Sequence, residues 1–271
     1  FGWRSACLIF AAVSLGCSLL ALTVEDPRQE SALRLANNTK EKCKKSSESE
    51  TLAFDGMVSE AVQSMQEALA PTSVRWLFVA STLRFCIGFA ILVWLPTVVR
   101  DRFPDNVAEF AAYNAGIKAF AGGFASVAGG VLADTLRTTA LGERAGLLLN
   151  VAASMLAAPV WYMVLREGNS FYECMAFLCL SYLVAESWLG PAVSTLQTLV
   201  PADRRGVAQG LFSALTSVGN VAPALIGLLP AASLPVVLQE SIAGCYVLSA
   251  GVFLAAAMSL EQAKGTEAVD Y

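Results

Sequence analysis

The segment Glu109–Arg137, EFAAYNAGIKAFAGGFASVAGGVLADTLR, holds the two features that decide the fold of this 271-residue chain. Its first part, Glu109–Ala133, is mostly apolar. It is long enough to cross a membrane, because a helix rises about 1.5 Å per residue and a hydrocarbon core of about 30 Å needs roughly 20 residues. Its second part, Gly130-Val131-Leu132-Ala133-Asp134 followed by Arg137, introduces charge where the apolar stretch ends. The segment therefore predicts a transmembrane helix that leads into a charged link.

Six other segments meet the same length criterion. They are Ser5–Val24, Trp76–Val99, Ala145–Leu165, Tyr172–Thr195, Val207–Leu229 and Ser241–Leu260. The composition agrees, since 56% of the residues are hydrophobic and only 15% are charged, unlike a water-soluble domain. We therefore predict an all-α membrane protein in which one span and a long polar loop precede six further spans.

This pattern divides the chain into four parts. Residues 1–24 hold the first span, 25–73 form a central loop, 74–260 hold six spans, and 261–271 form a tail. Within the loop, apolar side chains recur at helical spacing, which predicts a short amphipathic helix. They are Val58, Val62, Met65 and Leu69. Such a helix would either lie along the membrane surface or pack on the ends of the spans.

The distribution of basic residues predicts the orientation of the spans. If the central loop is cytoplasmic, twelve Lys and Arg side chains lie on its face and four lie on the opposite face. The loop face holds Arg28, Arg34, Lys40, Lys42, Lys44, Lys45, Arg75, Arg137, Arg144, Arg204, Arg205 and Lys264, and the opposite face holds Arg4, Arg100, Arg102 and Arg166. Because cytoplasmic loops carry an excess of Lys and Arg, we expect the central loop and the C-terminus in the cytoplasm.

Polar residues inside four spans follow helical spacing. The stripes are Arg84 and Gly88; Asn114, Lys118, Gly122 and Ser126; Tyr182, Glu186, Gly190 and Gln197; and Gln209, Ser213, Ser217 and Asn220. A charged group near the centre of a bilayer costs several kcal/mol. We therefore expect these stripes to face the bundle interior, a partner charge or a water-filled cavity, and so to mark a polar path.

Glu186 is the sharpest functional candidate because it lies near the middle of its span. A role in proton coupling or in binding a cationic group competes with a static ion pair to Lys118 or Arg84. For the two bases, a role at the solute competes with snorkelling towards the membrane surface. The chain has no His, so metal binding and His acid–base chemistry are not favoured. We expect no cofactor, no nucleic-acid partner and no enzymatic activity.

The charged links and the small residues suggest conformational roles. Asp134, Arg137, Arg204 and Arg205 predict a latch between helix ends that breaks when the ends separate, or alternatively basic anchors with a local cap. The glycine pairs at 122–123 and 129–130 predict close helix packing. Pro96, Pro159, Pro191 and Pro223 predict bends in four spans.

Two stretches of the sequence carry a family resemblance. Gly130-x-Leu132-Ala133-Asp134 with Arg137 resembles the signature loop of the major facilitator superfamily, in the copy between helices 8 and 9 of twelve. The opening Phe1-Gly2-Trp3-Arg4 and the later Val24-Glu25-Asp26-Pro27-Arg28 are similar to the bounds of the family's sixth helix. One departure is Thr135, which stands where the signature has a basic residue. The resemblance implies a partial major facilitator fold, with one helix of the N-terminal half and the complete six-helix C-terminal half.

Further motifs are similar to the spinster-like lipid transporters of that superfamily. They are Trp94-Leu95-Pro96-Thr97, Ala185-Glu186-Ser187, Val200-Pro201 and Arg204-Arg205. The resemblance implies a secondary transporter with alternating access, whose substrate or coupling residues lie on family helices 7, 8, 10 and 11. The matching candidates are Arg84, Asn114, Lys118, Tyr182, Glu186, Gln209 and Asn220.

The partners implied by this resemblance are membrane lipids, a small anionic or amphipathic solute, a coupling proton or ion, and the missing N-terminal half. The alternative is a seven-span receptor or a membrane scaffold without transport activity, because seven spans are visible. An extracellular segment before the first span and an outer disulfide would be expected of a receptor.

The predicted orientation can be tested at the sequon Asn37-Asn38-Thr39 in the central loop. With this loop in the cytoplasm, Asn37 never meets the glycosylation machinery. We expect no change in gel mobility on glycosidase treatment of the protein expressed in eukaryotic cells. Glycosylated Asn37 would reverse the assigned orientation.

Overall fold

The computed structural model describes residues 14–16, 59, 62–230 and 233–269, with side chains to residue 262. The chain forms two units, Phe1–Glu60 and Ala61–Tyr271. In the first unit the described residues 14–16 and 59 are helical. The rest of the predicted span Ser5–Val24 and most of the central loop lie outside the described residues.

The described part of the second unit contains nine α-helices from residue 72 onward, and no strand is described. They are α1 (Thr72–Arg102), α2 (Val107–Gly116), α3 (Gly123–Arg137), α4 (Ala145–Val164), α5 (Phe171–Ala185), α6 (Leu189–Leu199), α7 (Arg205–Gly219), α8 (Val221–Gly227) and α9 (Leu234–Val269). Before α1, residues 62–68 form a shorter helix. The all-α prediction is thus confirmed for the described residues.

Joined end to end, these helices make six stretches long and apolar enough to cross a membrane. They are Thr72–Arg102, Pro104–Arg137, Gly142–Val164, Phe171–Leu199, Arg205–Gly227 and Leu234–Gln262. They confirm the six spans predicted after the central loop, although the last one begins at Leu234 instead of Ser241. Gln239 is tolerated in this first part because its Nε2 donates to the Tyr162 carbonyl at 2.7 Å. At its other end α9 continues to Val269, so the predicted tail is largely helical.

The links between spans have local causes in the sequence. α5 begins with a capping box, in which the Ser170 hydroxyl accepts from the Glu173 N–H and Glu173 Oε2 accepts from the Ser170 N–H at 2.8 Å. In the same link Gly168 has a φ of 87°, which a residue without a Cβ adopts easily. These features turn the chain sharply between α4 and α5.

The long helices pack around two apolar clusters. α9 lies against both α1 and α4, α4 packs on α5, and α7 packs on α1. The first cluster is centred on Leu95, Trp161, Leu178 and Leu238. The second is centred on Leu77, Trp188, Phe212 and Phe253, and all eight side chains are buried. This packing places α1 beside the fifth and sixth spans.

Three spans contain interruptions. The second span changes to a π-helix over Ile117–Gly122, and the fourth to a 3₁₀ turn over Glu186–Trp188. The fifth breaks at Asn220, between α7 and α8. Pro191 and Pro223 each lie shortly after a break, where the missing N–H of proline is tolerated in the first helical turn. Mid-helix π and 3₁₀ segments often mark functional sites or hinges.

The second and fourth spans approach so closely that only glycine fits between them. A Cβ on Gly129 would lie 2.1 Å from the Ser187 carbonyl oxygen, and a Cβ on Gly190 would lie 2.7 Å from the Ser126 carbonyl oxygen. Gly130 faces Gly190 in the same contact. The predicted close packing is therefore confirmed for the glycine pair 129–130. These glycines set the distance between the second and fourth spans.

Gly129→Ala is expected to destabilise the bundle by about 1–3 kcal/mol, because the added methyl group forces the two backbones apart. The measurement is the melting temperature of the purified protein in detergent. Gly123→Ala on the same span is the matched control, since nothing lies within 4 Å of its new Cβ. Equal melting temperatures for the two variants would contradict the close approach.

Candidate functional site

A cavity of about 310 Å³ lies between α1 and the interrupted parts of the second and fourth spans. Its polar lining consists of Arg84, Lys118, Tyr182 and Glu186. The remainder of the lining is apolar, aromatic or glycine: Phe85, Gly88, Phe89, Leu92, Gly122, Trp188 and Leu189. The structure thus brings together four of the seven predicted substrate or coupling residues, from three different spans.

Arg84 points into the bundle and is only 4% exposed. Its Nη2 donates to the carbonyl oxygen of Ala185, at the junction where α5 becomes the 3₁₀ turn. Its Nε and Nη1 have no hydrogen-bond partner among the described residues. Arg84 therefore does not snorkel to the membrane surface, and a buried guanidinium keeps two donors available.

Two aromatic rings hold the Arg84 guanidinium in place. Its central carbon lies 5.3 Å from the centroid of the Trp188 ring and 4.7 Å from that of the Tyr246 ring. Phe85 packs edge-on against Trp188 at a centroid distance of 5.3 Å. A cation over an aromatic face gains about 2 kcal/mol or more when desolvated. The polar stripes in the sequence did not include Trp188 and Tyr246 as site residues. The sequence shows them only as aromatic residues inside predicted spans.

Lys118 and Glu186 both lie on interrupted helix. Lys118 is the second residue of the π-helix, and Glu186 is the first residue of the 3₁₀ turn. Gly122, four residues after Lys118, lies against Glu186, since a Cβ there would be 3.7 Å from Glu186 Cγ.

The static ion pair considered for Glu186 is not formed. Within the described part of the chain, Glu186 makes no ion pair or hydrogen bond with Lys118 or Arg84, although both positive charges act on it through space. The cavity therefore contains two bases and one carboxylate that are near one another without direct contact.

A second cavity, of about 550 Å³, lies further along α1. It is lined by Pro96, Thr97, Arg100, Val107, Phe110, Ala111, Asn114, Ala115 and Lys118. Asn114 belongs to this second cavity and not to the first, and its Oδ1 is buried without a partner among the described residues. Lys118 lines both cavities.

Most of the polar stripe on the fifth span lies on an exposed side of the helices. Asn220 is exposed and donates to the Thr216 carbonyl at 3.0 Å, and Ser213 and Ser217 are exposed as well. Gln209 is half-buried, with no partner for its Oε1 among the described residues. Within the described bundle this stripe does not face the interior, because α7 and α8 turn it away from the other spans. That it faces a partner charge or a water-filled cavity stays a prediction.

The predicted latch separates into two groups. Asp134 accepts from the Ser194 hydroxyl at 3.4 Å and pairs with Arg137 at 3.6 Å. Arg204 instead pairs with Glu67, at 2.9 Å between Nη2 and Oε2, and donates to the Ser64 hydroxyl at 2.6 Å. A single latch of four residues is thus wrong for this conformation. The cause is that the helix 62–68 supplies a nearer carboxylate than Asp134.

Arg205 makes a hydrogen bond within its own link and none to Asp134 among the described residues. Its Nε donates to the carbonyl of Val200 at 3.4 Å, five residues earlier in the chain.

The helix 62–68 packs on the bundle with a different face from the one predicted. Ser64 and Ala68 are buried, and Leu69 packs on the second apolar cluster. Val62 and Met65 are exposed, and Val58 lies outside the described residues. Among the described members of the predicted stripe, Leu69 alone packs on the bundle, and the alternative of a helix along the membrane surface stays a prediction. Small Ser64 and Ala68 allow the close approach that the larger side chains would prevent.

Glu67→Gln is expected to loosen the helix 62–68, because Arg204 then keeps as a charged partner only Asp203 of its own link, at 3.3 Å. Both side chains are partly exposed, so the loss is about 0.2–1 kcal/mol, or up to roughly fivefold faster hydrogen exchange over residues 62–68. Arg205→Gln is the control, since among the described residues the hydrogen bond of Arg205 is to Val200 of its own link. Unchanged exchange in Glu67→Gln would show that the ion pair does not hold this helix.

Comparisons with known proteins agree with this architecture. The sequence profile of the Major Facilitator Superfamily matches residues 1–224. An MFS-type efflux pump of Mycolicibacterium smegmatis is 22% identical over 229 residues, which cover 84% of this chain and 48% of the pump. The chain thus spans about half the length of the curated relative it matches. No solved structure matches.

Proposed function

Because the chain belongs to the major facilitator superfamily, a family of multi-pass membrane transporters, we propose that it forms helices 6 to 12 of an alternating-access secondary transporter. The solute we propose is a small anionic or amphipathic molecule, and the motifs similar to spinster-like transporters support a lipid-like one. Membership of a transporter family gives no support to the alternative of a receptor or scaffold.

The observation that carries this proposal is that the buried Arg84 guanidinium has two nitrogens, Nε and Nη1, without a hydrogen-bond partner among the described residues. A buried donor without a partner costs about 1–3 kcal/mol, and more when it is charged. A carboxylate, sulfonate or phosphate that accepts from Nε or from Nη1 would reduce this cost, because a hydrogen bond between two charged groups is a strong one. Lys118 supplies a second positive charge, while Phe89 and Leu92 line the cavity with apolar surface. This combination fits an anionic head with an apolar body.

Glu186 supports ion or proton coupling at the same cavity. When Glu186 is ionised, the two bases and one carboxylate give the cavity a net charge of +1, and protonation raises this charge to +2. An anionic solute would bind the protonated form more tightly, and by linkage the bound solute would favour protonation. Proton and solute would then bind together.

The exposed stripe of α7 and α8 supports a missing partner half. Ser213, Ser217 and Asn220 would be unfavourable against lipid, since polar side chains in membrane helices face a protein interior or a water-filled cavity. A second six-helix half opposite this stripe would satisfy them, and the solute path would run between the halves. We place the central loop and the C-terminus in the cytoplasm.

The test is transport by the full-length protein in lipid vesicles at several external pH values. A fluorescent lysophosphatidic acid serves as the anionic amphiphile. Glu186→Gln is expected to abolish most of the pH dependence of the transport rate, because the residue no longer titrates. Glu167→Gln, which removes an exposed carboxylate from the link between α4 and α5, is expected to keep it. A wild-type pH profile in Glu186→Gln would remove Glu186 from the coupling role.

A further inference from the structure

The second cavity extends the first along one helix. Arg84, Gly88 and Leu92 of α1 line the first cavity, and Pro96 and Arg100 line the second. At about 1.5 Å per residue, the helix from Arg84 to Arg100 is about 24 Å long, which is most of the hydrocarbon thickness. The two cavities therefore form consecutive compartments between α1 and the second span.

Lys118 is the one charged residue common to both linings. Lysine carries its charge on a flexible four-carbon stem, so the ammonium group reaches either side while the backbone stays in place. The π-helix around it has a wider hydrogen-bond register than the flanking α-helices, and such segments occur frequently at functional sites. From this position the Lys118 ammonium group can contact an anion in either cavity, one after the other.

We propose that the second cavity is a separate binding site for the transported amphiphile, and that Lys118 passes its anionic group between this site and Arg84. The proposal rests on the proposed function for the nature of the solute. The second site uses residues with no part in the first, namely Arg100 and Asn114.

The chemistry of the second site defines the class of ligand further. Arg100 pairs with Asp101, at 3.3 Å between Nε and Oδ1, but its side chain is 62% exposed and so remains accessible to a solute anion. The buried Asn114 Oδ1 is an acceptor that needs a donor. Val107, Phe110 and Ala111 provide apolar walls. The site therefore fits an anionic amphiphile that also carries an O–H or N–H donor beside its head group.

The test uses single cysteines as reporters in full-length protein whose native cysteines are replaced by alanine. Thr97→Cys reports the second cavity and Gly88→Cys reports the first, where a new Cβ meets nothing within 4 Å. Each thiol is modified with a sulfonate-bearing thiosulfonate reagent and with a neutral one of similar size. The ratio of the two rates measures the preference of each cavity for an anion, independently of transport.

We expect a preference for the anionic reagent of roughly tenfold at both reporters, the low end of the rate gains in a charged cleft. Arg100→Gln should lower the ratio several-fold at Thr97→Cys and leave it unchanged at Gly88→Cys. Lys118→Gln should lower it at both. Arg166→Gln, which removes an exposed base that lines neither cavity, should change neither ratio.

Three results would overturn the proposal: no anionic preference at Thr97→Cys, an equal effect of Arg100→Gln at both reporters, or an effect of Lys118→Gln at one reporter only. The amphiphile itself should also protect Thr97→Cys from both reagents, and its failure to protect would equally count against the site. If the modification ratios follow the expected pattern but vesicles show no transport, the proposed function is wrong and the second anion-binding site is retained. If transport is present without the pattern, the second site fails alone.

Discussion

Hydrocarbon offers no hydrogen-bond partners, so the backbone of every span has to satisfy its own polar groups, and the described bundle follows from this constraint. Irregular backbone is tolerated within the membrane only where protein covers it or where it lines a water-filled cavity. The π-helix Ile117–Gly122 and the 3₁₀ turn Glu186–Trp188 are such places, and they meet at one cavity. Lys118 belongs to the first of these segments and Glu186 to the second, and both side chains line this cavity.

The second consequence of the same dry environment is electrostatic. A guanidinium buried in a membrane bundle needs compensation, and Arg84 receives it in part from the Ala185 carbonyl and from the faces of Trp188 and Tyr246. The compensation is incomplete, because Nε and Nη1 keep no partner among the described residues. Among the described residues, Glu186 lies nearby without an ion pair to Arg84 or Lys118, so it does not complete this compensation.

Sequence periodicity predicted the candidate residues better than their arrangement. Arg84, Lys118, Tyr182 and Glu186 line one cavity as the stripes suggested. Spacing by four residues shows which side chains share a face of a helix, but it does not show how far a cavity extends along that face. Asn114 lies one turn before Lys118 and lines the neighbouring cavity instead. The basic residues of the links were likewise recognised, while the partner of Arg204 proved to be Glu67, from a segment more than 130 residues earlier.

Composition and local period determined the all-α class and the six described spans, since a bilayer of about 30 Å imposes one length on every helix that crosses it. The same local signals located the charged residues inside the spans and the short links outside them. Only the tertiary structure decided which aromatic rings cover Arg84, which glycines allow the second and fourth spans to touch, and which face of the helix 62–68 is buried. The physical reason is that burial depends on side chains from other helices, and helical period describes only the helix in which it is read.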